Sequence, residues 1–150
     1  MLYPGVAWVE GANLSVGRGT DRPFEWVGAP WIESARWLQA VRAQSLPGLG
    51  FDAIGFQPSS GPYRGERCQG LQIRLLDRDR IDAPLLGLAL VRSLSQLWPT
   101  TFQLDRTLAL IGSADVLQGL RDGLSLQAVA ARWQAPLDAF LDRRQPNLLY

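Results

Sequence analysis

The run Leu85 to Leu97, LLGLALVRSLSQL, is apolar on most sides when wound as a helix, and such a helix has to be enclosed by the rest of the chain. Asp82 and Pro84 predict where it starts, as an N-cap and a proline at an early position where its missing N–H does no harm. Pro99 predicts its end. No run approaches the roughly 18 unbroken apolar residues that a membrane helix needs. With 47% hydrophobic and 19% charged residues among 150, the chain has enough apolar surface for a core, which excludes a disordered tail or linker. One folded domain over residues 1–150 is expected.

Other elements follow from periodicity. Val6 to Val9, between Pro4-Gly5 and Gly11, predicts a buried opening strand. Glu33 to Gln44 places Trp37, Leu38 and Val41 on one stripe and predicts an amphipathic helix, ended by Leu46-Pro47-Gly48. Ile54 and Phe56 alternate in a strand that stops at Pro58, while Leu71, Ile73 and Leu75 alternate with Gln72 and Arg74 in another, and the two would pair as a wide hairpin. Ser113 and Ser125 predict two further helix starts, with Gly123 closing the first of these helices. Leu126, Val129, Ala130 and Trp133 form one helical stripe, which Leu137, Phe140 and Leu141 extend after Pro136. The fold class expected is mixed α/β of the α+β kind: a small mixed sheet of 3–5 strands packed with about 4–5 helices in a single domain.

The residue inventory removes whole classes of chemistry. All fifteen basic residues are Arg, so Schiff-base chemistry is absent, and without His neither a Ser-His-Asp nor a Cys-His system can be built. Cys68 is the only cysteine, which leaves no internal disulfide and none of the usual zinc arrangements; no metal and no cofactor are implied. A net charge of +1 supplies no field to draw nucleic acid or an anionic membrane. Met1 to Trp8 also lacks the basic and long apolar regions of a secretory signal.

Two polar loops carry what remains. Glu10 to Glu25, EGANLSVGRGTDRPFE, has Gly turns but neither the Lys of a Walker loop nor the third Gly of a dinucleotide fingerprint. Glu10, Asn13, Ser15, Arg18, Thr20, Arg22 and Glu25 supply acceptors, neutral donors and guanidinium forks, a set suited to a polyhydroxylated or carboxylate-bearing ligand. Ser59 to Gly70 adds Tyr63, whose ring is able to stack on a sugar face, and the two loops would flank one cleft. Glu10 and Glu25 are in principle a glycosidase pair, although either is equally suited to pair with Arg18 or Arg22. Trp8, Trp37 and Trp133 are assigned to the core, and Trp26 and Trp31 to a cleft wall. A rival from another class is a helix-turn-helix DNA-binding or protein-interaction module in GLRDGLSLQAVAARW, Gly119 to Trp133. Its charge argues against DNA: Arg121, Arg132, Arg143 and Arg144 are offset by Asp115, Asp122, Asp138 and Asp142.

The run EGANLSVGRGTDRPFEWVGAPW resembles the start of the C-terminal domain of bacterial exo-β-N-acetylmuramidases of the NamZ type. FQPSSGPYRGERCQGLQIRLLDRD and the ending Leu148-Leu149-Tyr150 resemble further signatures of that family, so the similarity spans essentially the whole chain. Ala12 and Val16 stand where the family commonly has Thr and Glu, and Ser60-Gly61-Pro62 departs from its longer side chains. The resemblance implies a C-terminal piece whose partner is an N-terminal Rossmann-like domain bearing the catalytic glutamates. It implies a cleft, completed by this domain, for the terminal N-acetylmuramic acid of peptidoglycan fragments. On that basis this chain would carry no catalytic residue, bind a muramic-acid-containing saccharide through Glu10, Asn13, Ser15, Arg18, Thr20, Arg22 and Tyr63, and hydrolyse nothing alone.

Overall fold

The computed structural model describes residues 1–149; Tyr150, the last residue of the matched ending, lies outside them. The helix read from Leu85 to Leu97 is α3 (Ala83–Leu97). The Asp82 carboxylate accepts from the Leu85 N–H at 2.9 Å, and eight of the helix's residues are buried. Around it stand α1 (Tyr3–Glu10), α2 (Ser34–Arg42) and a three-stranded sheet of β1 (Trp26–Ala29), β2 (Leu49–Phe56) and β3 (Cys68–Leu75). The strand order is β1-β3-β2, and both pairings are antiparallel. The fold is therefore mixed α+β, as expected, with β2 and β3 forming the wide hairpin.

The alternation in β3 sends Leu71 and Ile73 into the core beside Val27 and Phe51, and Trp37 of α2 reaches the same core. The Trp37 Nε1–H donates to Ser93 Oγ of α3 at 2.8 Å, so the polar atom of the largest core side chain is satisfied. The opposite face of the sheet carries Trp26, Asp52, Ile54, Gln72 and Arg74. At its centre Gly28 and Gly70 lie directly opposite each other, where a Cβ on Gly70 would strike the Val27 carbonyl.

The opening segment corrects one expectation. Val6 to Val9 is helical, because Leu2, Val6 and Val9 are buried at the i, i+4, i+7 spacing of a helix face and Pro4 occupies its first turn. Gly5 and Gly87 let α1 and α3 cross closely: a Cβ on Gly87 would stand 2.7 Å from the Gly5 carbonyl oxygen.

The remaining elements are helical: α4 (Leu108–Ile111), α5 (Ala114–Arg121), α6 (Leu126–Ala130) and α7 (Gln134–Arg144). Ser113 caps α5 and Ser125 caps α6, each through its hydroxyl, and Gly123 takes a left-handed φ of 70° at the turn between them. The stripe of α6 is buried at Leu126 and Val129, whereas its extension on α7 is not: Leu137, Phe140 and Leu141 are exposed. Leu148 and Leu149 are exposed as well. The second helix of the supposed helix-turn-helix has five residues, and two of the nearby arginines are ion-paired, Arg121 with Asp105 and Arg132 with Asp115.

Candidate functional site

The polar segment after α1 is built as a folded loop. Leu14 and Val16 are buried and anchor it to the core. Between them the backbone of Ser15 pairs with Gly28 in both directions, at 2.8 and 2.9 Å, which adds a bridge to the free edge of β1. Asn13 ties the start of the loop to the segment after α3: its Nδ2 donates to the Thr101 carbonyl and its Oδ1 accepts from the Gln103 N–H, both at 2.9 Å. Gly17 and Gly19 turn the chain at φ of 77° and 76°, conformations that cost a Cβ-bearing residue steric strain. Thr20 closes the turn by donating from Oγ1 to the Gly17 carbonyl and accepting the Arg22 N–H.

Charge and aromatic groups gather at the end of this loop. Glu10, the last residue of α1, accepts a hydrogen bond from Arg18 Nε. That bond and the carboxylate charge push the Arg18 guanidinium above its usual pKa. The same guanidinium lies over the Phe24 ring at 4.9 Å, and Tyr3 meets that ring edge-on at 4.7 Å. Phe24 itself is held at a φ of 64° and donates its N–H to the Val16 carbonyl. For a bulky residue such a dihedral persists only where the surroundings enforce it. Arg22 Nη1 makes a long contact of 3.3 Å to Glu25, and both side chains remain well exposed.

The second loop packs on the first. The Ser59 N–H and Oγ both donate to the Gly19 carbonyl, at 2.9 and 2.8 Å. Tyr63, at a φ of 61°, donates its hydroxyl to the Asn13 carbonyl and accepts from Trp31 Nε1–H. The two loops are thus neighbours, as the sequence suggested. They do not flank one cleft, however: a groove of about 730 Å³ lies beside the end of the first loop, with walls that include Tyr3, Arg22, Phe24, Glu25, Gln72 and Arg74, and no residue of the second loop lines it. Met1, Leu75 and Leu76 form its apolar end.

The residues singled out from sequence are therefore placed unequally. Arg22 lines the groove, and Arg18, paired with Glu10, backs the Phe24 wall. Asn13, Ser15 and Thr20 use their polar atoms to hold the loop, and Tyr63 clamps it from the other side. Trp26 and Trp31 do not line the groove; they pack on Phe56 and Trp98. Tyr3, Gln72 and Arg74 were missed as site residues. The alternation of β3 had already put Gln72 and Arg74 on the side away from the core, but nothing local placed the loop beside them. Glu10 and Glu25 are each taken by an arginine of the loop. Ala12 and Val16, where the loop departs from the family pattern, are buried, so those departures concern packing under the loop.

Cys68 opens β3 as a buried free thiol. Burial, with a smaller contribution from Glu66, pushes it up to about 11 from its usual 9.0. That is the wrong direction for a nucleophile.

The whole chain, residues 1–150, matches the family described as exo-beta-N-acetylmuramidase NamZ, C-terminal. It is 33% identical over 156 residues to the peptidoglycan beta-N-acetylmuramidase NamZ of Bacillus subtilis (strain 168), a match covering 99% of this chain and 37% of that protein. Two crystal structures of DUF1343 family proteins from Bacteroides fragilis share its fold. One has a TM-score of 0.79 at 22% identity and the other 0.72 at 24%; each match covers 99% of this chain, with 41% and 40% of the respective solved chains. The relatives are thus much longer than this chain. On the full-length family match and the identity to the Bacillus protein, the chain belongs to the NamZ family as its C-terminal domain.

Proposed function

We propose that this domain supplies the binding wall, without the reactive groups, of a cleft that receives the terminal N-acetylmuramic acid of peptidoglycan fragments. The opposite wall belongs to a preceding Rossmann-like domain that carries the catalytic glutamates. The observation that carries this reading is the groove beside the glycine-punctuated loop, where Arg22 and Arg74 stand next to Phe24 and Tyr3. Guanidinium forks beside aromatic faces are the combination that a sugar bearing a carboxylate calls for.

Within that cleft Arg22 receives the lactyl carboxylate, since its contact to Glu25 is long and most of its donors are uncommitted. Arg18 keeps the Phe24 face in position. Asn13, Ser15, Thr20 and Tyr63 act by holding the loop. Glycosidases need two carboxyl groups set across the scissile bond, and of the three in this loop Glu10 and Glu25 are already engaged by arginines, which leaves Asp21 without a second. The domain alone therefore binds weakly and hydrolyses nothing.

Titration of the isotope-labelled 150-residue protein with N-acetylmuramic acid tests this. Backbone resonances of residues 17–25 and 72–76 are expected to shift, and to shift less with N-acetylglucosamine, which lacks the lactyl carboxylate. Equal response to the two sugars, or turnover of 4-nitrophenyl N-acetylmuramide by this chain alone, would overturn it.

A further inference from the structure

The wall that β3 gives to the groove holds a side chain so far without a role. Gln72 sits on the central strand of the sheet, directly opposite Trp26 of β1 and Asp52 of β2, and its half-buried side chain lines the groove. Its neighbours on that face are engaged elsewhere. Asp52 meets Arg74 at 2.6 Å and Arg42 at 3.6 Å, and the Trp26 ring packs on Phe56. Among the described residues no hydrogen bond takes up the Gln72 amide, so its donors and its acceptor stay uncommitted at the groove wall. Chemically it also differs from the charged groups beside it. Arg22 and Arg74 only donate and ionised Glu25 only accepts, whereas a neutral amide donates and accepts without adding charge. Its place matters as much. The Glu25 side chain is contacted by Arg22 at 3.3 Å, and the Glu25 carbonyl accepts from the N–H of Ile73, the residue after Gln72, at 2.7 Å. The Arg22 fork and the Gln72 amide are therefore near neighbours on one wall. In N-acetylmuramic acid the acetamido group and the lactyl ether occupy adjacent ring carbons, so whatever reads one stands beside whatever reads the other.

We infer that Gln72 is the specificity-determining residue for the N-acetyl group: its Nε2 donates to the acetamido carbonyl while Arg22 holds the lactyl carboxylate. The inference rests on the reading of the groove as a muramic acid site and names the class of sugar that the site accepts. A glycan end whose amino group is free is then a poor ligand. Its ammonium offers Nε2 no acceptor and adds a positive charge beside Arg22 and Arg74, against the single carboxylate of Glu25 on that wall.

The test compares the affinities of the 150-residue protein for N-acetylmuramic acid and for muramic acid, whose amine is free, by resonance titration at pH 6. The natural protein is expected to prefer the acetylated sugar about tenfold, the worth of one hydrogen bond to a well-placed donor and the charge repulsion together. Gln72→Leu keeps the bulk and loses the donor, and is expected to bring the preference down to about threefold or less. Gln72→Glu turns the donor into an anion and is expected to reverse it in favour of the ammonium. Arg22→Ala should weaken both sugars alike and leave their ratio in place, since both carry the lactyl group. Gln72 lies on the open face of the sheet, so the melting temperatures of both Gln72 variants should stay within about 4 °C of the natural protein. Equal affinity of the natural protein for the two sugars, a ratio that neither variant changes, or an equal loss for both sugars would overturn the inference, the last because it marks a merely structural role. If N-acetylmuramic acid is still preferred over N-acetylglucosamine in any of these cases, the cleft reading stands and only the assignment of Gln72 fails. A natural protein that binds neither sugar overturns both.

Discussion

Asn13 shows what a polar residue in a glycine-rich loop is for when the loop has to be rigid. Its amide donates to Thr101 and accepts from Gln103, tying the start of the loop to a segment almost ninety residues away. Asn13→Ala breaks both bonds and is expected to cost about 1–2 kcal/mol in urea unfolding. Asn13→Asp keeps the acceptor and should lose less. The residues alone suggested Asn13 as a ligand contact and could not point to Thr101 and Gln103, because these lie in a stretch with no local link to the loop. Cys68 offers a second check at this scale. Its folded-state pKa of about 11 lies above its usual 9.0, so between those values the unfolded chain binds fewer protons than the folded one and stability falls as pH rises. Below pH 9 the thiol contributes no slope. Urea midpoints measured at pH 8 and pH 10.5 should therefore separate further in the natural protein than in Cys68→Ala. In the native state the thiol should react with a disulfide reagent at pH 8.5 roughly a hundredfold more slowly than in urea.

At the scale of elements, the Gly28–Gly70 pair lets β1 and β3 approach beneath the Trp26 and Phe56 rings, which pack against each other at 5.8 Å. Gly70→Ala would drive a Cβ into backbone, which cannot swing aside as a side chain does, and is expected to cost about 2–4 kcal/mol in thermal unfolding. A loss below about 0.5 kcal/mol, the scale of a surface change, would mean that the sheet has room there. Elements with a chemical signature at their ends were legible in the sequence. Asp82, Ser113 and Ser125 cap where their side chains said they would, and the period of two in Leu71 and Ile73 gave β3 its core face. The failures share a physical origin. Val6 to Val9 is too short a run for periodicity to separate helix from strand, and the decisive fact, the packing of α1 against α3, is tertiary. β1 has four residues, one of them Gly, and exists because Ser15 and β3 pair with its two edges. On α7 the stripe was read correctly, but a stripe does not say whether this chain or another covers it.

For the whole molecule, the site divides into residues that build the loop and residues that the loop presents. A reading from composition cannot separate them, since an amide that clamps a loop and one that greets a ligand look alike in sequence. The groove makes the distinction, and kinetics can test it. Among the described residues the Arg22 side chain makes one polar contact, to Glu25 at 3.3 Å, and it lines the groove, so its loss should leave the fold intact. If it binds a carboxylate remote from the bond being broken, it stabilises bound substrate and transition state alike. In a two-domain chimera in which this chain replaces the matching C-terminal part of the Bacillus relative, Arg22→Ala is then expected to raise KM about tenfold with kcat nearly unchanged, the signature of uniform binding. Arg22→Lys should restore part of the loss, because an ammonium keeps the charge but not the paired donors. A fall in kcat at constant KM would place Arg22 against the reacting centre instead. The catalytic wall would then have to include this domain, and the division of labour between the two halves of the cleft would be wrong.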